Sequence, residues 1–427
     1  MGPVCQPVAR SLVSVDLVVP AEDRLHGHVS LPQLGRLPSG PLLPAAPRPG
    51  AMVSVRRRLK RVKRLLRETR MFALAMHSPD HPIVAQIIVT RRCNLACGYC
   101  NEYDRCSDPV PTASLLRRID RLAELGTTVI TLSGGEPLLH PDLDRIVARI
   151  RERGALAALL TNGTLLTEER VRRLNRAGLD YLQISIDNRA PDAVSKKSLS
   201  VLDRRLVWLA SLAEFQVTIN SVVGIGIDNP GDAYEIARRA RGLGFASTVG
   251  VVHDYNGQVQ PLDEAHRNAI DRILRLNTAL FSFAQCDQFQ ENLSLGQANH
   301  WHCRAGGRFL YVCEDGLVHR CSQQRGTPGI PLERYSADDL VRETDRPKSC
   351  APFCTVSCVH RVAVLDSIRE RPAETLTAML DGQKKRNPGF EASWLVKLLL
   401  WLFLAPGHQD FLVGLARRMF GVTHRTL

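Results

Sequence analysis

Three cysteines spaced four and three residues apart share one short segment, Cys93, Cys97 and Cys100. Thiolates are the usual ligands of iron–sulfur clusters, so these side chains could bind three irons of a cubane. The fourth iron would stay open, which is what binding of a small chelating co-substrate requires. An apolar, strand-like run over residues 83–89 leads directly into the segment. We therefore expect a buried strand to deliver the three thiolates to one site.

A second motif follows at the end of another strand-like run, where residues 131–137 read Thr-Leu-Ser-Gly-Gly-Glu-Pro. The Cys-x3-Cys-x2-Cys spacing, the aromatic Tyr99 before the last cysteine and the Gly-Gly-Glu-Pro motif together resemble the radical SAM superfamily. Clustered cysteines alone also occur in zinc sites, whereas this ordered pair of motifs is far more specific. The resemblance covers residues 83–255.

The resemblance implies a set of cofactors and a radical mechanism. Cys93, Cys97 and Cys100 would ligate a 4Fe–4S cluster, and S-adenosylmethionine (SAM) would chelate the open iron through its amino and carboxylate groups. One electron, supplied by a reductant such as flavodoxin or ferredoxin, would break a carbon–sulfur bond of SAM and release a 5′-deoxyadenosyl radical. The cofactor carries out the difficult step, while the protein holds and shields it.

Several further residues are expected at the cofactor by the same resemblance. Gly134 and Gly135 lack side chains, so the backbone can approach the methionine amino group closely. Glu136 either fixes this turn or neighbours the cofactor, and Tyr99 lies within the cluster motif. Asn162, at the end of the third predicted strand, either caps a helix or reaches a polar group of the cofactor.

The ends of the fourth and fifth predicted strands carry the remaining cofactor candidates. Ser185 and Asp187 would lie near the ribose, because hydroxyl and carboxylate acceptors suit sugar hydroxyls. Asn220 would contact adenine or ribose.

Strand and helix patterns alternate from residue 83 to about 253, which predicts parallel βαβ units. The predicted strands are 83–89, 127–132, 156–161, 181–186, 216–223 and 246–252. The predicted helices between them are 112–125, 141–153, 167–177, 198–213 and 231–243. Six such units match the partial (β/α)6, TIM-like barrel that the resemblance implies, an α/β fold. In such barrels the carboxyl ends of the strands carry the chemistry.

A second group of six cysteines occupies residues 300–362, and its members are Cys303, Cys313, Cys321, Cys350, Cys354 and Cys358. Asp315-Gly316 between two strand-like arms predicts a β-hairpin. The spacing from Gly316 to Cys321 resembles the SPASM and twitch extensions of radical SAM enzymes, which bind auxiliary iron–sulfur clusters. The last three cysteines depart from that resemblance, because the usual Cys-x2-Cys-x5-Cys-x3-Cys pattern is not present.

The ligand count favours one auxiliary cluster, since six cysteines complete one four-thiolate set with two to spare. The expected ligands are Cys303, Cys321 and Cys358, with the fourth drawn from Cys350, Cys354 or Cys313. A zinc site with the same ligands is the alternative.

The rest of the chain divides by composition. The predicted organisation is a disordered or non-native extension at 1–51, a basic amphipathic helix at 52–80, the barrel at 81–262, a helical linker at 263–299, the auxiliary module at 300–362 and apolar terminal helices at 363–427. Nine Lys or Arg side chains but one acid lie from Arg56 to Arg70. That helix either lies on anionic lipid or packs onto the barrel.

Charge and hydropathy constrain partners and location. The 427 residues carry a net charge of +13, which indicates either an anionic partner or simply a basic protein. The longest apolar stretch, at 394–404, is too short to span a bilayer, so it would lie in the membrane interface, cover the barrel or form a dimer contact. Twelve cysteines without a signal peptide favour metal binding in a reducing cytosol.

These observations predict a cytoplasmic radical SAM oxidoreductase that abstracts hydrogen from an unactivated C–H bond of a peptide or protein. The alternative substrate is a membrane lipid of fatty-acyl or hopanoid type, with the enzyme bound peripherally at the inner membrane face. A non-catalytic iron–sulfur or zinc protein that binds membrane or RNA is the competing class. No specific nucleic-acid partner is expected for the enzyme.

Overall fold

A computed structural model of the protein describes residues 51–100, 102–224, 226–252, 259–276 and 287–386. The predictions for residues 1–50 and for the apolar stretch at 394–404 lie outside these residues. Within them one nine-stranded sheet has the order β6-β5-β4-β3-β2-β1-β7-β8-β9. Its strands are β1 Val84–Thr90, β2 Val129–Gly134, β3 Leu156–Thr161, β4 Tyr181–Ser185, β5 Gln216–Gly224, β6 Ala246–Val252, β7 Phe309–Val312, β8 Leu317–His319 and β9 Pro328–Pro331.

Eleven α-helices accompany the sheet within the described ranges. They are α1 Ala51–His77, α2 Thr112–Glu124, α3 Leu143–Glu152, α4 Glu168–Ala177, α5 Leu199–Leu212, α6 Gly231–Gly242, α7 Glu264–Arg275, α8 Asp287–Ser294, α9 Ala337–Asp345, α10 Ser357–Glu370 and α11 Pro372–Arg386. Strands β1 to β6 pair in parallel, each with the next along the chain. This confirms the predicted partial barrel, and each of its six strands begins and ends within two residues of its predicted bounds.

The main core lies between the strands and their crossover helices. Ala85, Ile87 and Val89 alternate along β1 and pack with Leu115 and Ile119 of α2 in one buried cluster. Side chains of successive strand residues point to opposite faces, so the residues between these face the concave side of the sheet. That concave face carries half-buried polar residues: Gln86, Thr131, Gln183, Ser185 and Asn220. The barrel therefore has a dry outer layer and a polar interior.

The predicted hairpin is present and extends the barrel sheet. Strand β7 pairs in parallel with β1, and β7 and β8 pair antiparallel through the Asp315–Gly316 turn. Gly316 has φ +87°, a left-handed conformation that favours glycine. The cysteine-rich region thus continues the same sheet. Because β7 runs parallel to β1, the chain leaves both strands on the same side, at their carboxyl ends. Cys313 follows β7 there and Arg91 follows β1.

Helix α1 packs against the amino end of the barrel through its basic side. Lys60 Nζ lies 2.7 Å from Glu214 Oε2, and Arg67 pairs with the buried Asp180. Helix α1, Ala51–His77, covers most of the segment predicted as a basic helix at 52–80, and these contacts pack it onto the barrel; its predicted role on anionic lipid stays a prediction. Within the described helices, none combines the length and the hydropathy needed to cross a bilayer.

Candidate functional site

The loop after β1 folds back so that Cys93, Cys97 and Cys100 lie close together along the chain. Residues 91–100 are called the cysteine loop below. Asp104 N donates to Arg91 O (2.8 Å), Cys93 N donates to Asp104 O (3.0 Å) and Cys100 N donates to Cys97 O (3.1 Å). Cys97 is buried, while Cys93 and Cys100 are half-buried. Burial raises the pKa of Cys93 to about 11 and also raises the pKa of Cys100. Thiols of this kind bind as thiolates when a metal displaces the proton.

Gly134 and Gly135 pack directly against the backbone that leads into this loop. A Cβ at Gly134 would overlap Thr90 O, and one at Gly135 would overlap Arg91 O. Gly135 N donates to Thr90 O (2.8 Å), and Glu136 N donates to Arg92 O (2.9 Å). The glycines therefore bring two strand ends into contact beside the cysteines. Their predicted approach to the methionine amino group stays a prediction.

Glu136 holds the turn of the second motif. Its buried carboxylate accepts hydrogen bonds from Leu138 N (3.0 Å), Thr161 Oγ1 (2.6 Å) and Asn162 N (2.8 Å). Burial raises the pKa of this carboxyl, and the three donors oppose that shift. Of the two roles predicted for Glu136, the contacts show fixation of the turn, because they join the ends of β2 and β3.

Asn162 joins the end of β3 to the cysteine loop. Its Nδ2 lies 3.8 Å from Cys93 Sγ and donates to Asn94 Oδ1 at 2.9 Å. Asn94 Nδ2 in turn donates to Thr164 Oγ1 (2.8 Å). The amide thus touches a thiol of the predicted cluster set, so the first three strand ends converge on one place.

Tyr99, Asp187 and Lys197 form a polar group behind the cysteine loop. Tyr99 OH donates to Asp187 Oδ2 at 2.5 Å, and Lys197 Nζ lies 3.1 Å from the same oxygen and donates to the Tyr99 hydroxyl. Burial lowers the pKa of Lys197, but Asp187 and Tyr99 raise it by more. Lys197 is therefore a buried cation at the site.

The second oxygen of Asp187 has no partner. Asp187 is 1% exposed, and its Oδ1 accepts no hydrogen bond within the described part of the chain. A buried acceptor of this kind needs a donor. The predicted ribose contact would supply one, since a sugar hydroxyl can donate.

Ser185 and Asn220 are neighbours in the β4–β5 pairing. Asn220 Oδ1 accepts from Thr248 Oγ1 (2.9 Å), and both predicted residues are half-buried on the concave face. The structure thus places seven of the eight predicted cofactor residues at, or just beyond, the carboxyl ends of β1 to β4. Asn220 was predicted at the end of the fifth strand but lies in the middle of β5, because that strand continues to Gly224.

Sequence reasoning missed Lys197 and Ser195. Ser195 Oγ lies 3.6 Å from Cys97 Sγ, and the nearby Val194 O accepts from Gly98 N at 2.8 Å. Both residues belong to the loop between β4 and α5, which has no periodicity. The one available signal is the pair Lys196-Lys197 shortly after Asp187 in an otherwise polar stretch.

Four thiols of the second cysteine group lie near one another, those of Cys303, Cys321, Cys350 and Cys354. Burial is the main cause that raises the pKa of Cys321 to about 12, and the charges of Cys303 and Cys350 add to it. The pKa of Cys354 is raised in the same way by burial and then by Cys321, Cys303 and Cys350. These mutual effects group the four side chains as the candidate ligands of one auxiliary site.

Cys358 is a predicted ligand together with Cys303 and Cys321, and that role stays a prediction. Its side chain packs against the buried cluster that contains both of them, and its Sγ lies 3.9 Å from Gln86 Oε1 on the concave face of β1. Cys350 and Cys354 bracket the 3₁₀ turn Ala351–Phe353, whereas Cys358 lies in the first turn of α10.

Cys313, the remaining cysteine of the second group, lies next to the hairpin turn. Its Sγ and ligand atoms of Asp315 and His319 are within 4.8 Å of one another. His319 Nδ1 already accepts from Gly326 N (3.0 Å), so the neutral ring carries its proton on Nε2. This group therefore meets the distance condition for a metal site, with one histidine nitrogen already hydrogen-bonded to the backbone.

Spacing separates a multi-iron cluster from a zinc site. Four sulfurs around one zinc, at about 2.3 Å each, would lie about 4 Å apart. Among the described residues, neither Cys93, Cys97 and Cys100 nor any three of Cys303, Cys321, Cys350 and Cys354 have their sulfurs within 4.8 Å of one another. Thiols on different corners of a cubane stand further apart than ligands of one ion, and the choice of iron–sulfur clusters for these thiols stays a prediction at this point.

The part of the chain that holds these residues matches known proteins. The radical SAM superfamily profile matches residues 87–255. The GTP 3′,8-cyclase of Aquifex aeolicus (strain VF5) is 30% identical over 235 residues, which cover 50% of this chain and 69% of the cyclase. This chain belongs to the radical SAM superfamily. Membership confirms the predicted family and its cofactors, a 4Fe–4S cluster and SAM.

Two further known proteins are similar to parts of this chain. The PqqA peptide cyclase of Gluconobacter oxydans (strain 621H) is 36% identical over 118 residues, which cover 27% of this chain and 32% of the cyclase. The chain thus spans about a third of that relative's length. Among solved structures, Streptococcus suis SuiB bound to precursor peptide SuiA has a TM-score of 0.48 and 16% identity, with 68% of this chain and 74% of that one covered.

The residues present fit the radical SAM cofactors. Three thiols on one loop match a cluster with an open iron. A Cβ on Gly134 or Gly135 would overlap the backbone that leads into that loop and would displace the thiols. The unpartnered Asp187 Oδ1 offers an acceptor for a hydroxyl.

Proposed function

We propose that this chain is a radical SAM oxidoreductase that abstracts hydrogen from an unactivated C–H bond of a peptide or protein. The observation that carries the proposal is the contact between the cysteine loop and the Gly134–Gly135 turn, beside buried polar groups from β3 and β4. When bound, the cluster and SAM together supply a carbon radical able to remove such a hydrogen.

In this proposal Cys93, Cys97 and Cys100 hold the cluster. Glu136 and Asn162 fix the loop relative to β2 and β3, which keeps the thiols at constant spacing. Positioning of this kind allows a reactive group to be held without reorganisation.

Asp187 is proposed to accept a hydrogen bond from the ribose of SAM through its Oδ1. Lys197 and Tyr99 orient the carboxylate by engaging its other oxygen. A buried acceptor already oriented by two partners binds a hydroxyl at little entropic cost. Ser185 and Asn220, one strand further, are proposed to contact the ribose or adenine from the concave face.

One auxiliary iron–sulfur cluster is proposed at Cys303, Cys321, Cys350 and Cys354. Cys303 and Cys321 are buried, Cys354 is half-buried and Cys350 is exposed, so a cluster here would be shielded from water on one side. Cys303 and Cys321 share a buried cluster of side chains with Ile88 of β1 and Tyr311 of β7, so these two thiols lie beside the barrel rather than apart from it. Such a cluster would ligate the substrate or accept an electron after hydrogen abstraction.

The peptide substrate class is supported by the name of the PqqA peptide cyclase, whose matching part is 36% identical to this chain. The second candidate is a membrane lipid, which is favoured by the exposed apolar residues of α1. Peripheral association with the inner membrane face belongs to the same proposal, as does reduction by a flavodoxin or ferredoxin.

A mass-spectrometric assay separates the two substrate classes. The cluster-loaded protein is incubated anaerobically with SAM, a reductant and either a short peptide encoded beside its gene or a membrane lipid extract. A change in peptide mass that requires SAM, accompanied by 5′-deoxyadenosine, is the expected result. A change confined to the lipid would contradict the peptide assignment and support the second candidate.

A further inference from the structure

Helix α1 turns its apolar residues away from the barrel. Val55, Leu59, Val62, Leu65 and Leu66 are each between 55% and 65% exposed. Four of them follow the spacing of one helical stripe, at intervals of four, three and four residues. A helix that packs on a domain normally buries this stripe, so its exposure indicates an interaction surface.

The outward orientation of the stripe is fixed by the opposite side of the helix. Arg57 Nη2 donates to Ala210 O (3.1 Å), Lys60 pairs with Glu214 at 2.7 Å and Arg67 pairs with Asp180. These three contacts span most of the basic segment. The stripe cannot turn inward without breaking all of them.

A cleft of about 600 Å³ opens between α1 and the amino end of the barrel. Eight Lys or Arg side chains line it, against two carboxylates, those of Asp180 and Glu214. Both carboxylates already have cationic partners. Arg56 and Lys63, which also line the cleft, form no ion pair with the described residues. The cleft therefore presents a surplus of positive charge.

Further cations flank the stripe on the exposed side of α1, namely Arg58, Arg61 and Arg70. Apolar and cationic side chains thus share one outward surface. We propose that this surface, together with the cleft, docks the amino end of the barrel onto an anionic phospholipid bilayer. The stripe enters the boundary between headgroups and acyl chains, and the cleft receives phosphate headgroups.

Charge and hydropathy select the bilayer over other occupants. A nucleic acid would satisfy the cations but offers nothing to a continuous aliphatic stripe. A second copy of the chain would place one cationic cleft against another. The C-terminal segment 391–427 is itself basic, with four Lys or Arg against two acids, and so does not complement the cleft.

This docking deepens the proposed membrane association and leaves the chemistry accessible. The cleft lies at the amino ends of β4 and β5, where Asp180 and Glu214 precede the strands. The cysteine loop lies at the opposite, carboxyl ends. An enzyme bound through α1 would therefore present its cofactor site away from the lipid surface, which favours the peptide over the membrane lipid as the substrate.

Vesicle flotation of the full-length, cluster-loaded protein tests the proposal. Vesicles of phosphatidylcholine alone are compared with an equimolar mixture of phosphatidylcholine and phosphatidylglycerol. We expect binding to the anionic vesicles only. The double variants Val62→Gln/Leu66→Gln and Arg56→Gln/Lys63→Gln should each lower the partition coefficient at least tenfold. The matched controls Val341→Gln and Arg238→Gln, on exposed positions of α9 and α6, should not change it.

Several results would overturn the docking proposal. Unchanged vesicle binding in either double variant would contradict the docking proposal. Binding of a short RNA or of pyrophosphate by a protein that does not bind vesicles would contradict it as well. If removing residues 391–427 abolished vesicle binding while both double variants kept it, the membrane-binding surface would be the C-terminal segment and not α1. SAM cleavage is measured on the same samples, so that failure of vesicle binding is distinguished from failure of the proposed function.

Discussion

At the scale of single residues, the site depends on backbone contact that only glycine permits. Gly135→Ala would place a methyl group against Arg91 O and Arg92 O. We expect a loss of stability of about 1–3 kcal/mol from this overpacking, together with weaker retention of iron. Urea unfolding and iron analysis measure the two effects.

Gly242→Ala is the matched control for that substitution. Gly242 ends α6 and has open space where a Cβ would go, so alanine should be neutral or stabilise the protein by up to about 1 kcal/mol. Equal unfolding midpoints for the two variants would contradict the close packing of the glycine motif.

The auxiliary ligand set gives a second prediction at this scale. Cys350→Ala should lose the auxiliary cluster, about four irons per chain, whereas Cys358→Ala should retain it. The reason is that Cys350 shares its surroundings with Cys303, Cys321 and Cys354, while Cys358 contacts Gln86. Iron and sulfide analysis after anaerobic reconstitution decides. Loss of iron in Cys358→Ala alone would restore the ligand set expected from the sequence.

Asp187 is expected to contribute to SAM affinity. Asp187→Asn removes a charged, buried acceptor, and a charge-assisted hydrogen bond is worth about 1.5–3 kcal/mol. The dissociation constant for SAM should therefore rise at least about tenfold. Equilibrium binding to the cluster-loaded protein measures it, with Asp144→Asn on the exposed side of α3 as the control. An unchanged constant would remove Asp187 from the cofactor site.

At the scale of elements, α1 is held by buried ion pairs. Asp180 is 3% exposed, pairs with Arg67 and with Arg151, and accepts from Ala157 N (3.0 Å). Asp180→Ala should destabilise the protein by about 1–3 kcal/mol, because the half-buried Arg67 and Arg151 lose their carboxylate and Ala157 N loses its acceptor. Asp144→Ala, which breaks a half-exposed pair with Arg173, should cost less than about 1 kcal/mol.

A comparison of the two unfolding free energies in urea tests this attachment. Equal losses in the two variants would mean that α1 is only loosely held, and its outward apolar stripe would then lose its structural basis.

The strands and helices of the barrel were predictable because buried runs and amphipathic periods repeat in a regular order. The orientation of α1 was not. An amphipathic pattern is normally interpreted with the apolar side inward, whereas here Glu214 and Asp180 at the barrel end select the basic side. That choice depends on residues more than a hundred positions away, which local periodicity does not report.

The functional site, like the fold, was predictable from the sequence only in part. The cysteine and glycine motifs were found from the sequence because their chemistry requires fixed spacing. Lys197 was missed because its partners Tyr99 and Asp187 come together only in the fold. The role of Cys358 is not decided by its spacing along the chain, which also does not show that its side chain contacts Gln86 of β1.

At the scale of the whole molecule, one sheet connects the two cysteine groups. Tyr311 of β7 donates a hydrogen bond to Glu102, just after the cysteine loop, and Arg325 Nη2 lies 2.8 Å from Glu102 Oε2. Arg118 of α2 donates to the carbonyls of Cys313 and Glu314 (3.1 and 2.9 Å). The proposed clusters are therefore held by one continuous framework, which suits a function in which both act on one substrate.

The most direct test of the central claim is the formation of 5′-deoxyadenosine by the reduced, cluster-loaded protein with SAM. The wild-type protein should form it, and Cys97→Ala should not, because the loop would lose one of its three thiolates. The same protein with Cys313→Ala should still form it. A cluster-loaded wild-type protein that forms none, or a Cys97→Ala variant that forms as much as wild type, would contradict the account.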